Sequence, residues 1–130
     1  MKSLLTIFTL VFTVTLSSPS YADEWTEWHE YKGNTYYVDF ERIRKKDGHA
    51  YYWELVDKIK PDFLGELSSK SLLEVDCKNK KSRSVAASYY TQPMGRGNPV
   101  RTDNRTKQWF YPRPRAELNH LLKFVCKTKP

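Results

Sequence analysis

The stretch LLEVDCKNKKSRSV, Leu72–Val85, decides how the chain is read. With Lys70 and Ser71 before it, its first half alternates. Leu73, Val75 and Cys77 share one face, and Leu72, Glu74 and Asp76 share the other, which is the period of a strand buried on one side. KNKK (78–81) reads as a turn, and SRSVAASYYT (82–91) returns as a second strand. Lys78, Lys80, Lys81 and Arg83 therefore fall at and around a hairpin tip.

The same grammar runs upstream. HAYYWELVDKI (His49–Ile59) is the longest strand candidate, with Tyr51, Trp53 and Leu55 on one face, and Pro61 ends it. Lys45-Lys46-Asp47-Gly48 before it is a hairpin turn, because Asp-Gly readily takes the positive φ such turns need. TYYVDF (Thr35–Phe40) alternates Tyr36 and Val38 against Tyr37 and Asp39, and EWTEWHEY (Glu24–Tyr31) precedes it across the turn Lys32-Gly33-Asn34. ERIR (41–44) reads as a single helical turn, PDFLGELSS (61–69) as a polar connection, and PMGRGNP (93–99) as loop. KQWFY (107–111) reads as a last short strand.

After Pro114 the period changes. In RAELNHLLKFVC (115–126), Leu118, Leu121, Leu122 and Val125 fall at i, i+3, i+4 and i+7, a single helical stripe. Pro114 suits a helix's first turn, where its missing N–H costs nothing. Asn119 and Lys123 point away from the stripe. Such a helix cannot bury its stripe alone and needs the apolar face of the sheet.

The N-terminal MKSLLTIFTLVFTVTLSSPSYA has one cation, Lys2, an apolar stretch from Leu4 to Leu16 and small residues at its close. This predicts a signal peptide over residues 1–22, cleaved after Ala22, since a span needs about 20 apolar residues. No cysteine follows that could carry a lipid anchor, and no later segment is apolar enough to span. Removing 22 of 130 residues leaves 108, one domain (23–130) with one core. Its formal charge falls from +7 to +6 with the loss of Lys2. An exported basic domain is drawn to polyanions, unless the charge only keeps it soluble. Sixteen of the 19 aromatic residues lie in the mature part, too many for so small a core to bury fully.

Cys77 and Cys126, on the inward sides of strand and helix, can meet if the helix packs on that face. In an exported chain two cysteines most simply form one disulfide, with free thiols as the alternative. A catalytic thiol needs a base in an electropositive pocket, and a structural zinc site needs four ligands, which two cysteines with scattered His29, His49 and His120 do not supply.

YYVD (36–39), WELVD (53–57), EVDCK (74–78) and SYYTQPMGRG (88–97), with a C-terminal helix ending in FVC, together resemble the surface-adhesin protein E family of Gram-negative bacteria. The resemblance covers about Trp28 to Cys126. It implies an α+β fold: a small antiparallel sheet of about five to six strands, with the C-terminal helix packed on one face and tethered by a disulfide. It also implies adhesion to host extracellular-matrix protein.

Nothing in the sequence looks catalytic, and no metal or cofactor is expected. The GRG of the 93–99 loop lacks the lysine and helix of a phosphate-binding loop. Asp39, Glu54, Asp57 and Asp76 read as strand carboxylates that cap strand ends or pair with lysines rather than as an acid–base set. The candidate ligand-binding residues are two basic clusters. One is Lys78, Lys80, Lys81 and Arg83. The other is Arg96, Arg101, Arg105, Lys107, Arg113 and Arg115, interleaved with Trp109, Phe110 and Tyr111. Cations beside exposed rings are the usual composition of a protein- or polyanion-binding face, the alternative being two solvated loops. Arg42, Arg44, Lys45 and Lys46 form a weaker third cluster. The expected protein is a non-enzymatic binding module, periplasmic, secreted or on the cell surface, with host protein, a polyanion or a second copy as partner. A periplasmic accessory or structural envelope protein without host ligand is the alternative.

Overall fold

A computed structural model describes residues 24–114 and 116–128. The expected signal peptide and Arg115 lie outside them. Six strands form one antiparallel sheet in chain order: β1 (Thr26–Tyr31), β2 (Asn34–Lys46), β3 (His49–Asp57), β4 (Ser68–Asp76), β5 (Lys81–Tyr90) and β6 (Arg101–Asp103). One helix, α1 (Glu117–Lys127), follows. The turn chemistry is as expected. Lys32 and Gly33, and Asp47 and Gly48, all have positive φ, the backbone twist of two-residue hairpin turns.

Cross-strand pairing sets the faces. Val38 lies opposite Glu54, Tyr52 opposite Leu73, and Ala50 opposite Val75. One face of the sheet thus carries Val38, Ala50, Tyr52, Glu54, Leu73 and Val75. Of these, Val38, Ala50, Tyr52 and Val75 form one buried cluster with Leu121, Leu122 and Val125 of α1. Cys77 and Cys126 adjoin that cluster and are joined, with Cα atoms 5.8 Å apart. The Lys45 ammonium donates to the carbonyl of Cys126 and so holds the helix C-terminus to β2.

The opposite face carries Tyr51, Trp53, Leu55, Leu72 and Glu74. A 3-10 turn at Pro93–Gly95 closes on it. Gly95 is buried with φ +64°, and a Cβ there would press on the Lys70 and Leu55 side chains. Its N–H donates to Ser68 Oγ (2.8 Å), and the Met94 N–H donates to Asp57 Oδ1 (2.8 Å). PMGRG is therefore loop, as expected, and it serves as a lid that leaves Leu55 fully buried.

Several local expectations are corrected. ERIR is strand, not a helical turn: β2 is continuous but bulged between Asp39 and Arg44. The Asp39 carboxylate accepts from the Glu41 N–H (3.1 Å) and Arg42 Nε (2.6 Å), local bonds that replace the ladder there. KQWFY is not a strand. It makes one isolated bridge to β5, where Phe110 and Ser82 exchange two hydrogen bonds, and one further bond from the Lys107 N–H to the Ser84 carbonyl. The sixth strand is instead Arg101–Asp103, three residues too short to display alternation. β4 begins at Ser68, inside the stretch read as connection. The helix starts at Glu117 with Ala116 as N-cap, so Pro114 lies outside its first turn. Asn119 does not point away: it is buried, and its Nδ2 donates to the Pro114 carbonyl (2.7 Å).

Candidate functional site

Parts of the two basic clusters meet at one edge of the sheet. Lys81 and Arg83 of the hairpin meet Trp109 and Tyr111, while Arg101 and the 93–97 loop with Arg96 lie toward the other end of β5, beside Tyr89 and Ser68. The segment before α1 runs beside β5, with the Lys107 N–H donating to the Ser84 carbonyl (2.8 Å). This brings Trp109 over the strand. Arg83 Cζ lies 4.0 Å and Lys81 Nζ 4.5 Å from the centre of the indole, and His49 meets its edge at 6.0 Å. Lys81 also lies 5.7 Å from the Tyr111 ring. A cation over an indole face is held by the ring quadrupole.

Beneath these cations sits a buried carboxylate. Glu74 accepts from His49 Nδ1 (2.9 Å), Tyr51 Oη (3.0 Å) and Arg83 Nε (2.6 Å). Burial pushes its carboxyl up, but these three donors outweigh burial and hold it below the ordinary range. Asp76 shapes the hairpin tip. It accepts from the Lys78 and Asn79 N–H groups and from Asn79 Nδ2, and those bonds lower its carboxyl.

The remaining cations divide into paired and unpaired. Arg101 grips the buried Glu66 through two bonds of 2.9 and 3.0 Å and stacks on Tyr89 at 3.7 Å. Arg105 and Lys107 both close on Asp103, whose carboxyl they hold well below the usual range. Arg83 is committed to Glu74, and Lys81 lies 3.9 Å from Asp76. Lys78 and Lys80 at the tip and Arg96 in the 93–97 loop are exposed, with no side-chain partner among the described residues. Sequence reasoning treated the cations of the two clusters alike, because the letters do not say which nearby carboxylate a cation will meet, and Arg101 is neutralised by Glu66, 35 residues away.

The strand carboxylates also divide. Asp39, Asp57 and Asp76 each accept hydrogen bonds, as expected. Glu54 accepts none among the described residues, and burial pushes its carboxyl up to about 7. It lines a cavity of roughly 310 Å³ with Trp28, His29, Tyr36, Tyr52 and Phe110. The sequence reading grouped Glu54 with the carboxylates that cap strand ends or pair with lysines, and the structure corrects this: it is a charge placed between Tyr52 and Val56 on the face that becomes inward, and it has no such partner among the described residues.

Among the described residues no three His, Cys, Asp or Glu side chains converge as a metal site, and no helix is long and apolar enough to cross a membrane. A search among curated proteins gave no sequence match. The fold resembles crystal form II of Haemophilus influenzae protein E, with a TM-score of 0.60 and 17% identity over 75% of this chain and 90% of that one. It also resembles protein E from non-typeable Haemophilus influenzae, with a TM-score of 0.58 and 18% identity over 77% and 74% of the two chains. At such identity the likeness speaks to the fold alone. The sequence itself matches the family model for surface-adhesin protein E over residues 25–127. Six strands, the terminal helix and the Cys77–Cys126 bridge all lie within that match, and the chain belongs to the surface-adhesin protein E family.

Proposed function

We propose that the protein is an exported, non-enzymatic binding module that engages an acidic host matrix protein or a polyanion through its cation–ring edge. Membership of a surface-adhesin family supports an exported surface protein. The observation that carries the binding reading is the Trp109 platform, where cations from β5 and a ring from the following segment stack together. Lys78 and Lys80 at the adjoining hairpin tip, and Arg96 in the 93–97 loop, add charge that no carboxylate among the described residues neutralises. In this reading the free cations steer encounter and the stacked ring anchors the complex.

Heparin serves as the probe. Affinity should fall steeply between about 0.1 and 0.5 M salt, because exposed charges are screened over about 8–10 Å or less. The triple variant Lys78→Ser, Lys80→Ser, Arg96→Ser should slow association while leaving the melting temperature nearly unchanged, since exposed turn residues contribute little to stability. Trp109→Ala should instead speed dissociation. Binding that ignores both the triple variant and the salt would sink the electrostatic model.

A second reading has its own support. Arg83, Arg101, Arg105 and Lys107 each pair with a carboxylate of the same chain, which suits a structural envelope protein as well as an adhesin. Protease treatment of intact cells separates the two. Cleavage supports surface display, and protection supports the periplasmic accessory role.

A further inference from the structure

The sheet face that packs on α1 is not closed along its whole length. Next to the apolar cluster lies the 310 Å³ cavity, and a second hollow beside it shares Trp28, His29, Tyr36 and Phe110. Its walls are rings: Trp28 meets Tyr36 edge-on at 6.3 Å, and His29 lies 5.2 Å from Trp28 and 5.7 Å from Tyr36. Its floor carries the unpartnered Glu54 carboxyl. The wall also leaves the buried Trp28 indole N–H without an acceptor. Buried polar groups are ordinarily satisfied, so the Glu54 carboxyl, an acceptor without a donor in a ring-walled cavity, marks a place where the chain alone does not complete the bonding; the indole N–H is itself a donor and does not bear on a cation.

We infer that this cavity binds the ammonium head of a lysine side chain presented by a partner protein, with Glu54 as counter-ion and the rings of Trp28, Tyr36 and Phe110 around the stem. A carboxylate among aromatic faces favours a cation twice, through its charge and through the ring quadrupoles. A lysine stem lays four methylenes on the rings while its compact head reaches the acid. Among the described residues no cation takes that place. Arg83 lines the cavity, but its Nε is bonded to Glu74 on the opposite face. His29 is paired with Glu117. Arg113 lines only the neighbouring hollow. This site is separate from the Trp109 platform and stands or falls independently of it.

The charged and titratable residues lining the cavity with Glu54 are His29 from β1, Tyr36 from β2, Tyr52 from β3 and Arg83 from β5, whose guanidinium is bonded to Glu74 on the opposite face, with Gln108 the polar neighbour from the segment before α1. Burial, then Glu54, raises Tyr36, and burial raises Tyr52, so both phenols stay neutral at physiological pH. Ligand binding should therefore follow the ionisation of Glu54.

The test uses the purified, disulfide-bonded protein labelled with 15N and reads the Trp28 indole signal. N-acetyl-lysine methylamide is titrated against N-acetyl-norleucine methylamide, which keeps the stem and lacks the charge. The lysine probe should bind at least about tenfold more tightly. Its affinity should fall about tenfold from pH 8 to pH 6, as a carboxyl near 7 goes from mostly ionised to mostly protonated. Glu54→Gln should abolish both the preference and the pH dependence while the melting temperature shows the fold intact. Equal binding of the two probes, no lysine binding at millimolar concentration, or a pH dependence that survives Glu54→Gln would each overturn the proposal.

Discussion

The two faces of the sheet solve the same packing problem in different ways. On the helix side, Val38, Ala50, Tyr52 and Val75 are covered by the leucines and valine of α1, and a covalent bond locks the cover in place. On the opposite side Leu55 is capped by the 93–97 loop, and beyond it charge replaces apolar cover: Glu74 gathers His49, Tyr51 and Arg83, and Trp109 roofs the cations. The apolar face is strong but incomplete, leaving Glu54 in a ring-lined cavity. On the charged face the carboxylates around these cations, Glu74, Asp76 and Asp57, each have donors. A face rich in charge is thus the self-satisfied one, and a face rich in rings holds the unmet polar group.

Removing the bridge tests that contrast most severely. The disulfide closes a loop of 49 residues. Loop entropy sets an upper figure of about 4 kcal/mol, and native bridges of small domains contribute roughly 2–5 kcal/mol. Cys77→Ala with Cys126→Ala should lower the melting temperature by roughly ten degrees or more in a calorimeter. A loss of only a degree or two would mean that the apolar contacts of α1 suffice alone.

Glu54 gives the next largest effect, with opposite sign. Its folded carboxyl is raised to about 7, above the unfolded value near 4.3. The protonated form therefore favours the fold, and stability is lost as pH rises from about 4.3 through 7. The partly solvent-open carboxyl should cost about 2 kcal/mol above pH 8. Glu54→Gln should raise the melting temperature by several degrees at pH 8 and change it little at pH 4. An equal shift at both pH values would show that packing, not ionisation, was responsible.

The charged face should respond more weakly and in the reverse pH direction. Glu74 has a lowered folded carboxyl, so its contribution is present above the unfolded value and fades as pH falls through the lower folded one. Glu74→Gln leaves Arg83 without its ionic partner and should cost about 1–2 kcal/mol at pH 7. That loss should shrink in acid. A loss independent of pH would assign it to shape rather than charge. Against these, the Lys78, Lys80 and Arg96 triple variant should move stability least of all.

Much of the architecture was legible in neighbouring residues. Alternation in 49–57 and 70–77, Asp-Gly at 47–48 and the Leu118–Val125 stripe each state a local backbone preference. They fix which side chains point inward, and so bring Cys77 and Cys126 toward one another. The bulge at 39–44 and the three-residue β6 were not legible. Hydrogen bonds accepted by the Asp39 carboxylate and pairing with Ala87 and Tyr89 create them, rather than any pattern of their own.

The site divides along the same line. The sequence alone determined that the chain is basic, ring-rich and sheet-forming, with an inward cysteine on strand and helix, because those properties belong to composition and to spacing over a few residues. Only the tertiary structure decided that Arg101 is tied to Glu66, that Trp109 roofs Lys81 and Arg83, and that Glu54 has no donor. A charge carries the same letter whether neutralised or free. The difference is made by whichever distant side chain the strand order brings within about 3 Å, the reach of a hydrogen bond.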